Sequence, residues 1–211
     1  LPIIFALLLN EVRSTAFRKV VQTVTYMPHF VSSVVVCGLM VIFCRSDGLL
    51  TSVLIHFGMP KTNLLTIEAY FQPLYIGMNI WQELGWDSII YFAALTSVDA
   101  ALYEAARVDG AGRWRQMWHI TLPGIAPTIV ILLILRIGNL MSLGWDRIIL
   151  MYNDMVMETA DVISTYVYRT GLQQVQYSYA TAVGLLNSII NVILLVSTNA
   201  ISRKISDNSL W

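Results

Sequence analysis

Charge is what this sequence has least of. Of its 211 residues only 12% are Asp, Glu, Lys or Arg, and the two signs balance at 13 each. That share is about half of what an ordinary soluble domain carries. Without a basic excess the chain has no footprint for the phosphates of a nucleic acid. With 56% apolar residues and no net charge, it lacks the composition of a disordered chain. Two cysteines are too few for a secreted disulfide scaffold. Cys37 and Cys44 fall on one expected helix, about 10 Å of rise apart, which is too far for a bridge. His29, His56 and His119 match no metal-ligand spacing. No phosphate-binding loop is present; the run from Gly58 to Thr62 lacks the second glycine before its lysine. No Ser/His/Asp arrangement is suggested, and no basic leader with a small-residue cleavage site precedes the first apolar run.

Long apolar runs are present instead. A span needs roughly 20 mostly apolar residues to cross a hydrocarbon layer of about 30 Å. Four stretches approach this, at about 28–45, 74–98, 123–143 and 181–201. A fifth, residues 1–9, is apolar but short and reads as the end of a span, so the chain is expected to be a piece of a longer one. The fold class expected is an all-α membrane protein. Lys and Arg in short loops set orientation. Arg13, Arg18 and Lys19, then Arg107, Arg113 and Arg115, then Arg203 and Lys204 fall on one side if the four spans alternate. That side is expected to be cytoplasmic, with the C-terminus inside. The outer segments, 48–71 and 144–179, are rich in Tyr, Trp and Asn. These residues suit stacking on sugars or a partner surface, and they equally suit an interfacial aromatic belt.

The segment between the second and third runs carries the most information. Asp99 is a helix N-cap candidate, Ala100 to Val108 are strong helix formers, and Asp109-Gly110 stops them. A second short helix follows over 114–120, with Pro123 in the first turn of the next span. The result is a short helix on the cytoplasmic face. Its Ala105-Ala106 pair lets another surface approach the backbone closely, and Glu104 and Arg107 flank the pair. This is the form of a helix offered to a groove in a partner.

Glu104-Ala105-Ala106, three residues, Gly110, nine residues and then Ile120-x-Leu122-Pro123 resembles the EAA signature of ABC importer membrane subunits. Asp109-Gly110-Ala111 and Pro127 resemble the oligosaccharide branch. So does the run from Gln22 to Phe30. The runs 118–124 and 165–169 and Ile137-Gly138-Asn139 resemble a subgroup handling complex or uronic-acid oligosaccharides. The resemblance implies a type I ABC importer helical bundle, here without its N-terminal helices, in the bacterial cytoplasmic (inner) membrane. It implies that Glu104, Ala105, Ala106, Asp109 and Gly110 couple to an ATPase subunit. ATP and Mg would sit on that partner and no cofactor on this chain. The further partners implied are a second, different permease subunit, an extracytoplasmic sugar-binding protein, and an oligosaccharide substrate.

Charges within a bilayer are functional suspects. Arg136 and Glu83 lie at similar depth, roughly 10 and 13 Å below the outer ends of their spans at 1.5 Å per residue. They are expected to form an ion pair, unless Arg136 faces the cavity and meets an acidic sugar or contacts the second subunit. Asn139 lies one turn from Arg136, and Asn187 and Asn191 share a face of the last span. They could bond sugar hydroxyls or, more commonly, hold helices together. A different polar solute, or a scaffold without transport, is the alternative function. A membrane enzyme would have only Glu83 and Asp87 for a catalytic pair, with neither nucleophile nor metal beside them.

Overall fold

The computed structural model describes residues 1–141 and 144–205. The described residues form twelve α-helices, with short 3-10 and π turns between them, and contain no strand. In chain order they are α1 (Pro2–Glu11), α2 (Thr15–Tyr26), α3 (Ser33–Cys44), α4 (Leu49–Ile55), α5 (Glu68–Thr96) and α6 (Ala100–Val108). Then come α7 (Arg113–Gln116), α8 (Leu122–Gly138), α9 (Trp145–Met151), α10 (Met157–Ala160), α11 (Ile163–Tyr168) and α12 (Tyr177–Ile205).

Among the described residues, three helical segments are long and apolar enough to cross a membrane: Ser33–Ile55, Arg113–Gly138 and Tyr177–Lys204. Glu68–Thr96 qualifies only together with Ala100–Val108, and the two are bent by 66° at the intervening break. These bounds depart from the runs read at 28–45, 74–98, 123–143 and 181–201. The first helix stops at Cys44 and resumes after Gly48. A Cβ on Gly48 would stand 2.3 Å from the Phe43 carbonyl oxygen, so the chain can pass this break only without a side chain. The third helix begins ten residues earlier than expected, at Arg113. Pro123 does lie in the first turn of α8, as expected, but a π turn over Met117–Thr121 joins α7 to α8 without a break. Proline has no N–H for the carbonyl four residues back, and the wider π turn accommodates the gap, with the Leu122 N–H on the Met117 carbonyl. The end of the run at 142–143 and the C-terminal residues 206–211 lie outside the described residues. The segment 144–179, read as loop, contains α9, α10 and α11.

The chain divides into two compact units. The first comprises Leu1–Pro28, Gln82–Gly138 and the stretch from Leu194. Its core is Ala6, Leu95 and Ile125, with Tyr91, Phe92, Val98 and Ile129 packed around them. Small residues let its helices touch. Gly85 of α5 lies against the Thr25 backbone, Gly124 against Val98, and Gly138 against Leu195.

The second unit comprises His29–Trp81 and Asn139–Ile193. Val36, Cys37, Cys44, Leu64, Leu65, Phe71, Met78, Ile148 and Met151 form its core. Both cysteines are free and buried. Arg147 threads this core. Its guanidinium donates to Asn79 Oδ1 and, at 3.5 Å, to Ser33 Oγ, while its own carbonyl lies 3.8 Å from Cys37 Sγ. These bonds tie α9 to α3 and α5. The outer faces of α3 and α12 are apolar, with Val34, Leu39, Leu186, Ile189 and Val192 all exposed.

Candidate functional site

The bent segment at the start of α6 is built from local rules. Asp99 caps α6, its Oδ1 accepting the Ala101 N–H at 2.9 Å. The helix ends at Gly110, whose φ of +74° only glycine adopts without strain. The Ala111 N–H reaches back to the Ala106 carbonyl at 2.8 Å and the Gly110 N–H to the Arg107 carbonyl at 3.1 Å. These are the two bonds of a Schellman motif, and they satisfy carbonyls the helix end would leave unpaired. Gln116 Nε2 then donates to the Ala111 carbonyl at 2.7 Å, and Tyr103 Oη lies 3.0 Å from Thr121 Oγ1. The turn after α6 is therefore fixed from both sides.

What this turn presents is open surface. Glu104, Ala105, Arg107, Val108, Asp109 and Gly110 are exposed and Ala106 is half-buried. Val108 is 88% exposed and Leu102 53%, so the strip offers apolar as well as charged surface. The five residues expected to couple, Glu104, Ala105, Ala106, Asp109 and Gly110, form one contiguous strip along the end of α6.

The expected path residues fall in both units. In the first, Arg136 does not pair with Glu83: its Nη2 lies 3.2 Å from Asp87 Oδ2. Asp87 is one turn further along α5, so the depth estimate reached the right face and missed by four residues. The pair lines a cavity of about 430 Å³ walled by Trp86, Tyr91, Ile129, Leu132 and Leu133. Arg136 remains 75% exposed there, so the pair neutralises charge without closing the guanidinium off.

In the second unit Asn191 is used structurally, its Oδ1 accepting the Met141 N–H at 3.3 Å. Asn187 keeps a buried Oδ1 without a hydrogen-bond partner among the described residues. It lines a cavity of about 690 Å³ with Trp145, Tyr168, Tyr177 and Ser188. Trp145 and Tyr168 pack there with ring centroids 5.5 Å apart. Asn139 is exposed.

Sequence reasoning missed one further cluster. Arg169 grips Asp161 through both carboxylate oxygens, at 2.6 and 3.3 Å, and Thr165 Oγ1 adds a bond of 2.6 Å to the same carboxylate. Burial pushes the Asp161 carboxyl up, but the bonds from Arg169 and Thr165 outweigh it and hold it below the usual range. The Arg169 guanidinium also sits 5.7 Å from the Tyr166 ring centre. An Asp eight residues before an Arg across two short helices leaves no periodic signal.

The family described as "Binding-protein-dependent transport system inner membrane component" matches residues 1–207. Among curated relatives, a polygalacturonan/rhamnogalacturonan transport system permease protein of Bacillus subtilis is 48% identical over all 211 residues. The chain spans 66% of that relative's length. Among solved structures, a bacterial ABC transporter importing the acidic polysaccharide alginate superposes with a TM-score of 0.94 at 48% identity. That match covers 97% of this chain and 72% of the other. The bacterial alginate ABC transporter in complex with an alginate pentasaccharide-bound periplasmic protein superposes with a TM-score of 0.95 at 47% identity, covering 99% and 73%. The chain belongs to the family of binding-protein-dependent transport system inner membrane components.

Proposed function

We propose, with that membership as premise, that the chain is a membrane-spanning subunit of an ATP-driven importer of acidic oligosaccharides. The observation that carries the mechanism is the exposed strip of α6, set at 66° to α5 and locked at Gly110. A rigid short helix with small residues at its centre fits a groove on an ATPase subunit. ATP and Mg belong to that partner, whose closing would push α6 and, through the Asp99 break and the Tyr103–Thr121 contact, the helices on either side. The side bearing α6 and the C-terminus is the cytoplasmic one, because the short basic segments lie there. A second, different permease subunit covers the apolar faces that lipid does not, and a binding protein delivers sugar from outside.

The acidic character of the substrate is read from Arg136. A guanidinium that lines an apolar-walled cavity and remains mostly exposed is suited to a uronate carboxylate. The relatives named for polygalacturonan and alginate support that reading. Arg136→Met is expected to lower uptake of a uronic oligosaccharide by at least about tenfold, since a hydrogen bond to a charged group contributes about 1.5–3 kcal/mol. Uptake of a neutral oligosaccharide of the same length should be retained. Equal loss for both sugars, with the complex intact by size-exclusion chromatography, would leave Arg136 a structural partner of Asp87 only.

A further inference from the structure

We infer that the first unit carries a site for the headgroup of an anionic phospholipid, in the cleft between the end of α1 and the α6–α7 turn. The cleft has a volume of about 690 Å³ and is lined by Arg13, Arg107 and Arg113, with Tyr103, Gln116 and a single carboxylate, Glu11. Arg113 Nη1 lies 3.4 Å from Glu11 Oε2. Among the described residues Arg13 and Arg107 form no ion pair, so the cleft keeps an excess of two positive charges. Both guanidinium groups stand at the surface, and the cleft has room for a phosphodiester and its polar head.

Its depth identifies the occupant. The cleft opens at the end of the membrane-crossing segment Arg113–Gly138. Trp114 and Trp118, one helical turn apart at that end, are 75% and 61% exposed. Amphipathic side chains of this kind mark the headgroup level of a bilayer. A cationic cleft held at headgroup level by aromatic anchors meets lipid phosphates before any other anion. Arg107 belongs both to this cleft and to α6, so an occupied site would brace the helix proposed to receive the ATPase stroke. The lipid site itself rests on membrane embedding and charge, and is tested separately from sugar coupling.

The test uses the assembled complex in mild detergent, with phosphatidylglycerol and phosphatidylcholine as probes and native mass spectrometry to count retained lipid. Wild type is expected to hold phosphatidylglycerol in preference to phosphatidylcholine. Arg13→Gln should weaken that preference about fivefold, and Arg13→Gln with Arg113→Gln about 25-fold, the scale expected for basic groups at an anionic surface. Arg203→Gln, which removes a charge from the C-terminal basic segment, should change nothing. Unchanged lipid retention in the cleft variants overturns the proposal. So does an equal loss in Arg203→Gln, which would make the attraction diffuse. Loss of the ATPase subunit from the cleft variants with lipid retention unaltered also overturns it, and makes the cleft a protein-docking surface.

Discussion

Gly110→Pro is expected to abolish oligosaccharide-stimulated ATP hydrolysis by the assembled importer while the chain still inserts in the membrane. Proline holds φ near −65°, whereas Gly110 has φ of +74°. The substitution also removes the N–H that meets the Arg107 carbonyl at 3.1 Å. Both bonds of the helix-ending motif depend on that geometry, so α6 would lose its stop and the strip from Glu104 to Gly110 its shape. Gly110→Ala separates strain from crowding, because a Cβ there meets nothing within 4 Å. Its cost is the left-handed conformation alone, about 1–2 kcal/mol, and it should retain reduced coupling. Gly112→Ala is the control, since Gly112 has φ of −69° and open space around it; full activity is expected. Glu104→Arg, on an exposed position, should spare the fold and lose coupling by reversing charge on the docking strip. Wild-type coupling in Gly110→Pro would mean that α6 transmits nothing.

Gly85→Ala has the second largest expected effect, on folding rather than coupling. A Cβ on Gly85 would lie 2.1 Å from the Thr25 carbonyl oxygen and 2.5 Å from its carbon. Both obstacles are backbone, so no rotamer change relieves them and α2 must move off α5. The penalty exceeds the about 1–3 kcal/mol typical of one extra methylene in a packed core. Thermal unfolding in detergent should shift down sharply, with most of the protein in the aggregate peak on size exclusion. Gly77→Ala lies on the same helix with nothing within 4 Å and should behave as wild type. Equal stability of both variants would show that α2 does not touch α5 at Gly85.

The parts of this molecule written in local rules were legible from sequence. Asp99 and Gly110 bracket α6 because capping and left-handed backbone are properties of a few adjacent residues. Apolar runs marked the long helices, though not their ends: Pro123 sits in the first turn of α8, yet the π turn at Met117–Thr121 joins α8 to α7 and lengthens the segment. The bonds of Arg147 leave no trace in the sequence, because its acceptors Ser33 and Asn79 are 114 and 68 positions away, a distance no local pattern spans. Arg136 was assigned a partner one turn off. A ruler of 1.5 Å per residue has less resolution than the reach of an arginine side chain. Helices α9–α11, each of four to seven residues, are too short for periodicity and depend on tertiary bonds such as Asp161–Arg169.

The transport role proposed for this chain depends most on where α6 docks. With a photo-crosslinking residue in place of Ala105, the purified complex should yield a cross-link between this chain and the ATPase subunit. The yield should change when ATP closes the ATPase pair. A cross-link to lipid alone, or none while the ATPase co-purifies, would contradict the assignment of α6 as the coupling element.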